Sequence, residues 1–420
     1  MKCIKQFAVF CVLPLLIVPL IMTSCQASLT VKANDLTKDI VPSNAAGKAP
    51  DENFVDAMAD FSVKLFQKSR SDQVNSMVSP LSAMLALSMT ANGANGNTAA
   101  EFQQILGSSI AQDVRNQYLL GFTQSLKDTE NTKFHLANSI WIRKETDRDV
   151  EIKRDFLQLN ADYYGASVYD APFDEQTVKD VNSWVSYHTN KMIPEMITDP
   201  TSLEASVMLL INAMSFEAQW QSIYLKNNIR KGVFTCADGT RKDAEMMHSM
   251  EWGYLEDGKA TGFLKPYEGQ YSFAALLPNE GTSVEEYVAS LTGDGLIDTL
   301  QNPQGVEVSA VLPKFSYDFS FSLKESLQAM GMQDAFKIES ADFSKMSDEP
   351  LYISDAIQKT HITVDEKGTK AGAATMISTS NAGAPSEPKT VILDRPFVYA
   401  IIDNETSLPL FLGTVMEVTE

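Results

Sequence analysis

Near the C-terminus runs a stretch whose side chains are too small to build a core, Glu366 to Pro385 (EKGTKAGAATMISTSNAGAP). It carries no charge after Lys370. A segment with so little apolar surface is expected as an exposed loop. Yet it alternates as a strand would. Thr369, Ala371, Ala373, Thr375, Ile377 and Thr379 would share one uncharged face, and Lys370, Gly372, Ala374, Met376, Ser378 and Ser380 the other. Such a face suits a strand slipped late between two others that are already packed. The competing reading is a Gly/Ala/Ser tether between domains. Only a short two-strand tail follows, so no second domain remains to be tethered.

At the other end, Lys2 and Lys5 precede an apolar run from Phe7 to Met22, interrupted by Pro14 and Pro19. This run is shorter than the roughly 20 residues that span a bilayer and reads as a signal peptide over residues 1–24. It ends in Met22-Thr23-Ser24-Cys25. That resembles a bacterial lipobox, with Met where Leu is usual. The resemblance implies lipidation of Cys25 and a place in the bacterial cell envelope, periplasmic or surface-exposed. An ordinary secretory signal is the alternative. Polar residues from Gln26 to Pro50 are expected as a flexible tether, leaving 51–420 as the folded domain.

That domain is long enough to bury a core without disulfides. Of the 4 cysteines, Cys3, Cys11 and Cys25 belong to the signal, and Cys236 alone cannot form an internal bridge. A net charge of −20 argues against nucleic-acid binding, which demands the opposite sign.

Helical spacing joins Phe54, Met58, Phe61, Leu65 and Phe66. Ser79-Pro80 opens a second helix, with Ser79 as N-cap. Thr98 to Glu101 has capping-box spacing for a third, and Asp174 to Met192 reads as a helix. Leu136–Ile142, Met208–Phe216, Tyr271–Pro278, Val306–Phe315 and Ile357–Val364 read as strands, Met208–Phe216 apolar enough to be central in a sheet. A helix from Leu323 to Met330 and a final hairpin, Phe397–Ile402 with Leu408–Met416, complete an α+β pattern. No His-Glu-x-x-His, paired-Cys, Gly-x-Ser-x-Gly or phosphate-loop motif occurs. His135, His188, His248 and His361 are scattered and read as structural or surface residues, so no catalytic or metal site and no cofactor is expected.

Glu366-Lys367-Gly368-Thr369 followed by Ala371-Gly372-Ala373-Ala374-Thr375 resembles the hinge of the reactive-centre loop of an inhibitory serpin. The resemblance spans the domain: Val78-Ser79-Pro80-Leu81-Ser82, Asn212 through Trp220, Leu312-Pro313-Lys314-Phe315, Asp394-Arg395-Pro396-Phe397 and Pro409 to Gly413 are similar to family landmarks in the right order. It implies a large, mostly antiparallel central sheet with additional sheets, about eight or nine helices, and an exposed loop over about 366–390. It places Ser79, Ser82 and Asn212 at the "shutter" where the sheet opens, and Trp220 near the "breach" where the loop enters. Gln358 stands where many serpins have a shutter His, with His361 three residues on.

The implied activity is irreversible suicide-substrate inhibition of serine, and by extension cysteine, endopeptidases by a monomer. Hinge counting puts the reactive bond at Ala382-Gly383, with Pro385 the latest alternative. Small residues there, and no Arg or Lys between Lys370 and Lys389, imply elastase-like or subtilisin-like targets. Thr369 is expected exposed before cleavage, and the first side chain to enter the sheet after it. A serpin-fold binding or carrier protein that no longer inhibits is the alternative.

Overall fold

The apolar run 208–216 forms the first and greater part of a strand, Met208–Gln219 (β5), whose side chains are buried on both faces. Burial on both sides explains why it does not alternate. A computed structural model describes residues 31–144, 150–369 and 388–418. In its seven-stranded sheet, β5 is the fourth strand. On one side of it lie Thr132–Arg143 (β3), Ser167–Ala171 (β4) and the edge strand Asn34–Asp35 (β1). On the other lie Gly368–Thr369 (β14), Ile353–Val364 (β13) and Phe315–Ser322 (β12). Neighbours run antiparallel except β3 with β4 and β5 with β13.

A six-stranded sheet takes Ser76–Val78 (β2), Pro409–Val415 (β17), Phe397–Asp403 (β16), Tyr271–Pro278 (β10), Ala260–Pro266 (β9) and Tyr254–Glu256 (β8), in that order. A four-stranded sheet takes Lys389–Ile392 (β15), Val308–Pro313 (β11), Arg241–Glu251 (β7) and Ile229–Thr235 (β6). The described residues also form nine α-helices. Helix α1 spans Glu52–Ser69, with Phe54, Met58, Phe61, Leu65 and Phe66 buried as their spacing predicts. In α2, Pro80–Ala91, every residue is buried, as befits a helix apolar all round. It packs on β3, β5 and β17 and so joins the two larger sheets. Helices α3 (Gly96–Ile105), α4 (Gln112–Ser125) and α5 (Arg154–Tyr164) follow. Helix α6, Glu175–His188, lays Val178, Val181, Trp184 and Val185 into a second core with Trp141, Leu209 and Ile211. Val284–Ser290 (α7), Gly293–Gln301 (α8) and Leu323–Ala329 (α9) complete the set.

Three expectations are corrected. The residues expected as a free tether are bound from Val31 onward. Asp180, buried on α6, accepts the backbone N–H groups of Lys32 (3.0 Å) and Ala33 (2.7 Å). Asn34 and Asp35 then extend the sheet edge, and Gly47 packs backbone to backbone on Gly121, so that a Cβ on Gly47 would lie 2.7 Å from the Gly121 Cα. A polar segment with few large apolar groups can dock when a sheet edge and a buried carboxylate satisfy its donors. The third helix begins at Gly96, three residues early. The Thr98 hydroxyl instead accepts from the Asp342 N–H, and Glu101 from Gln333 and Asp334, so both hold a distant segment. The strand expected over Val306–Phe315 breaks at Pro313, and Phe315 starts β12 in another sheet.

Candidate functional site

Ser79 caps α2, accepting from the Ser82 N–H. This fixes the start of the helix beneath the β5–β13 seam. There Gln358, fully buried on β13, accepts the Ser79 N–H (2.9 Å). Its amide donates to the Ser79 carbonyl (3.0 Å) and the Asn212 Oδ1 (2.5 Å). The Asn212 amide donates to the Ser82 carbonyl and to the Asn138 Oδ1 (2.6 Å). One polar network thus pins three strands to one helix inside an apolar core, and each buried amide in it is satisfied. The expected shutter residues Ser79, Ser82, Asn212 and Gln358 come together. His361 does not join them; its ring bonds Asp318 on the opposite face of the sheet.

Above this network the seam opens. β5 and β13 pair directly from Met208 to Met214 and from Ile353 to Thr360. Beyond that, Gly368 and Thr369 lie between them, opposite Gln219 and Ala218 on one side and Val364 on the other. Gly368 has φ 152°, and a Cβ there would lie 2.0 Å from the Ala218 carbonyl oxygen, so only glycine fits. Thr369 is only 1% exposed and shares a 2.7 Å hydrogen bond with the Tyr267 hydroxyl. The expectation that it is exposed before cleavage is therefore corrected: the strand's first position is already filled, because beyond Met214 and Thr360 β5 and β13 no longer pair directly and β14 lies between them.

Three N–H groups hold the carbonyls that precede this point in the chain. The Trp220 backbone donates to Lys367 and its indole to Asp365, each at 2.8 Å, while the Tyr224 backbone donates to Glu366 at 2.9 Å. Trp220, fully buried, stacks on Tyr267 with centroids 4.3 Å apart. Burial pushes the Tyr267 phenol well above its ordinary pKa, and the Thr369 bond offsets this only in part. Glu366 pairs with Lys314 at 2.8 Å, and Lys314 also meets Glu245 at 2.9 Å. The hydrogen bond from Lys314 holds the Glu366 carboxyl below its usual range.

Of the expected hinge residues, Glu366, Gly368 and Thr369 are thus placed. Ala371, Ala373, Ala374 and Thr375, the bond Ala382-Gly383 and Cys25 lie outside the described residues. Sequence reasoning missed Asn138, Tyr267 and the Lys314–Glu366 pair. Asn138 sits within the strand read at Leu136–Ile142, but only the pairing of Asn138 with Asn212 gives it a role.

A family model described as serpin (serine protease inhibitor) matches residues 56–418. A serpin-like protein of Thermococcus kodakarensis is 30% identical over 371 residues, covering 86% of this chain and 85% of its own. Leukocyte elastase inhibitor A of Mus musculus is 29% identical over 372 residues, covering 84% and 97%. The crystal structure of tengpin, a thermophilic serpin, in the native state is 45% identical with a TM-score of 0.86, over 92% of this chain and all of that one. With the family model matching residues 56–418 and a relative 30% identical over 86% of this chain, the chain belongs to the serpin family.

Proposed function

We propose that the protein traps proteases as a suicide substrate. The observation that carries this reading is β14, where Gly368 and Thr369 are seated as a strand between β5 and β13. Extending its register, residue 371 would meet Phe216 and Ile362, and residue 373 would meet Met214 and Thr360. Residue 375 would arrive between Asn212 and Gln358. Thr369 already faces inward, so Ala371, Ala373, Thr375 and Ile377 inherit the buried face, and each is uncharged. The Thr375 hydroxyl can enter the amide network that insertion must pry apart.

Once a protease has cut the loop and is held as an acyl-enzyme, the freed strand runs downward through this seam. About a dozen new strand residues at ~1 kcal/mol per hydrogen bond supply on the order of 10 kcal/mol. That is comparable to the whole stability of a domain, and enough to distort a protease's catalytic site. The loss of one oxyanion donor alone slows deacylation chemistry about 10²–10³-fold.

Incubation with a panel of serine and cysteine proteases tests this. An SDS-stable complex with an elastase-like or subtilisin-like enzyme is expected, with trypsin-like enzymes poorly trapped. Simple cleavage by every protease would favour a non-inhibitory binding or carrier role. Mass spectrometry of the released C-terminal peptide should place the cut at Ala382-Gly383; a start outside Ala382 to Ala384 would refute that register.

The same proposal includes a lipid anchor at Cys25 in the bacterial envelope. With the chain docked from Val31 onward, few residues separate that cysteine from the body, and at ~3.5 Å per residue they reach about 20 Å at most. Membrane fractionation of Cys25→Ala is the test. Retention as firm as the parent's would refute lipidation there.

A further inference from the structure

Beneath the hinge lies an ion pair that loop insertion does not obviously require. Lys265, on β9, is 1% exposed, and its ammonium meets the Glu251 carboxylate of β7 at 2.7 Å, itself 7% exposed. The same ammonium donates to the Ser222 carbonyl at 3.2 Å. It lies 4.3 Å from the Tyr224 ring centroid and 5.3 Å from that of Trp220. Those are the two residues whose N–H groups hold the carbonyls of Asp365, Glu366 and Lys367. One buried cation therefore touches both halves of the clamp and the turn between them.

We infer that the Lys265–Glu251 pair is a positioning device for the hinge. It fixes Trp220, Ser222 and Tyr224 so that β14 stays seated as the nucleus on which the cleaved loop zips in. The inference rests on the inhibitory reading only for its consequence. Its structural content stands without it.

A buried ion pair adds little net stability, and well-packed apolar residues of similar volume often replace one without loss. A cation over two desolvated rings is different, because methionine cannot supply that attraction. Glu251→Met combined with Lys265→Met therefore separates the two roles, and it is safer for folding than Lys265→Met alone, which leaves a bare buried carboxylate. Its melting temperature should equal or exceed the parent's. Hydrogen exchange in 218–225 and 365–369 should nonetheless be about tenfold faster or more, while β10 and β16 exchange as before, since local opening is set by local contacts. With any protease the parent traps, more inhibitor should be consumed per complex, by about tenfold, while the rate of loop cleavage is unchanged.

Exchange in the hinge that matches the parent's, or that rises equally throughout the molecule, overturns the inference. If the parent traps no protease, the inhibitory reading fails alone, and the exchange experiment still decides this one.

Discussion

The two halves of the β5–β13 seam solve one problem in opposite ways. Below, the strands bond directly and a fully satisfied polar network ties them to α2. Above, Gly368 and Thr369 of a third strand lie between them, and the clamp around those residues is built from backbone carbonyls, stacked rings, the buried Lys265–Glu251 pair and the partly solvated Lys314–Glu366 pair. The lower half is closed by direct pairing; in the upper half β14 already lies between the two strands, and in the proposed mechanism the cleaved loop would extend from there. For the proposed insertion, a sheet uniform along its length would be either too stable to admit a strand or too loose to exclude one.

The comparison breaks most completely at Thr369→Glu. A carboxylate at that buried site must be desolvated or protonated, at a cost of several kcal/mol. The chain has a cheaper option, which is to expel β14. The upper half should then lose its nucleus, and protease trapping should vanish while the loop is still cut. Because Thr369 is buried before cleavage, the uncut protein should change too, with faster hydrogen exchange at Val364 and Ala218. Ala373→Glu should also abolish trapping, since that residue would meet Met214 and Thr360. Undiminished complex formation by Thr369→Glu would exclude loop insertion as the mechanism.

Gln358→Ala strikes the other half. It strips partners from the buried Ser79 N–H, the Ser79 carbonyl and the Asn212 Oδ1, at roughly 3–5 kcal/mol in all. Thermal melting should fall by several degrees. The seam between 208–214 and 353–360 should exchange faster, with the hinge unaffected. A variant as stable as the parent would show that this network does not latch the sheet.

The two halves also differed in how far they could be read from sequence. Shutter residues were legible because Ser79 announces itself as a cap before Pro80, and Asn212 is a lone amide in an apolar run. The hinge was legible in composition but not in state: that Thr369 is already inserted depends on how far β5 and β13 diverge, which no local pattern encodes. For the same reason Lys265 was invisible. A single lysine in a strand reads as solvent-facing until Glu251, from another sheet, is brought beneath the same rings. The docked stretch from Val31 to Pro50 was misread because its anchor, Asp180, lies about 150 residues away on α6.

The smallest effect sharpens the comparison by pH. Lys314 bonds Glu366 and depresses its pKa, and its own is raised: burial opposes its charge, but the Glu366 and Glu245 bonds outweigh that. Lys314 also lines a cavity of about 510 Å³ beside Asp365. The pair is therefore partly solvated and worth about 1 kcal/mol or less. A carboxylate whose folded pKa is depressed contributes stability that is complete above its unfolded pKa and lost as pH falls through the folded one. Hinge protection should therefore hold steady from neutral pH down to the ordinary glutamate range near 4.5 and weaken below it. Glu366→Gln removes the titrating group, so its hinge exchange, already slightly faster at neutral pH, should lack that acid step. The 208–214 seam offers an internal control, since no carboxylate takes part in its Gln358–Asn212 network. If both regions loosened together on acidification, and in Glu366→Gln as well, the acid response would belong to the whole fold and the Lys314–Glu366 pair would have no part in holding the hinge.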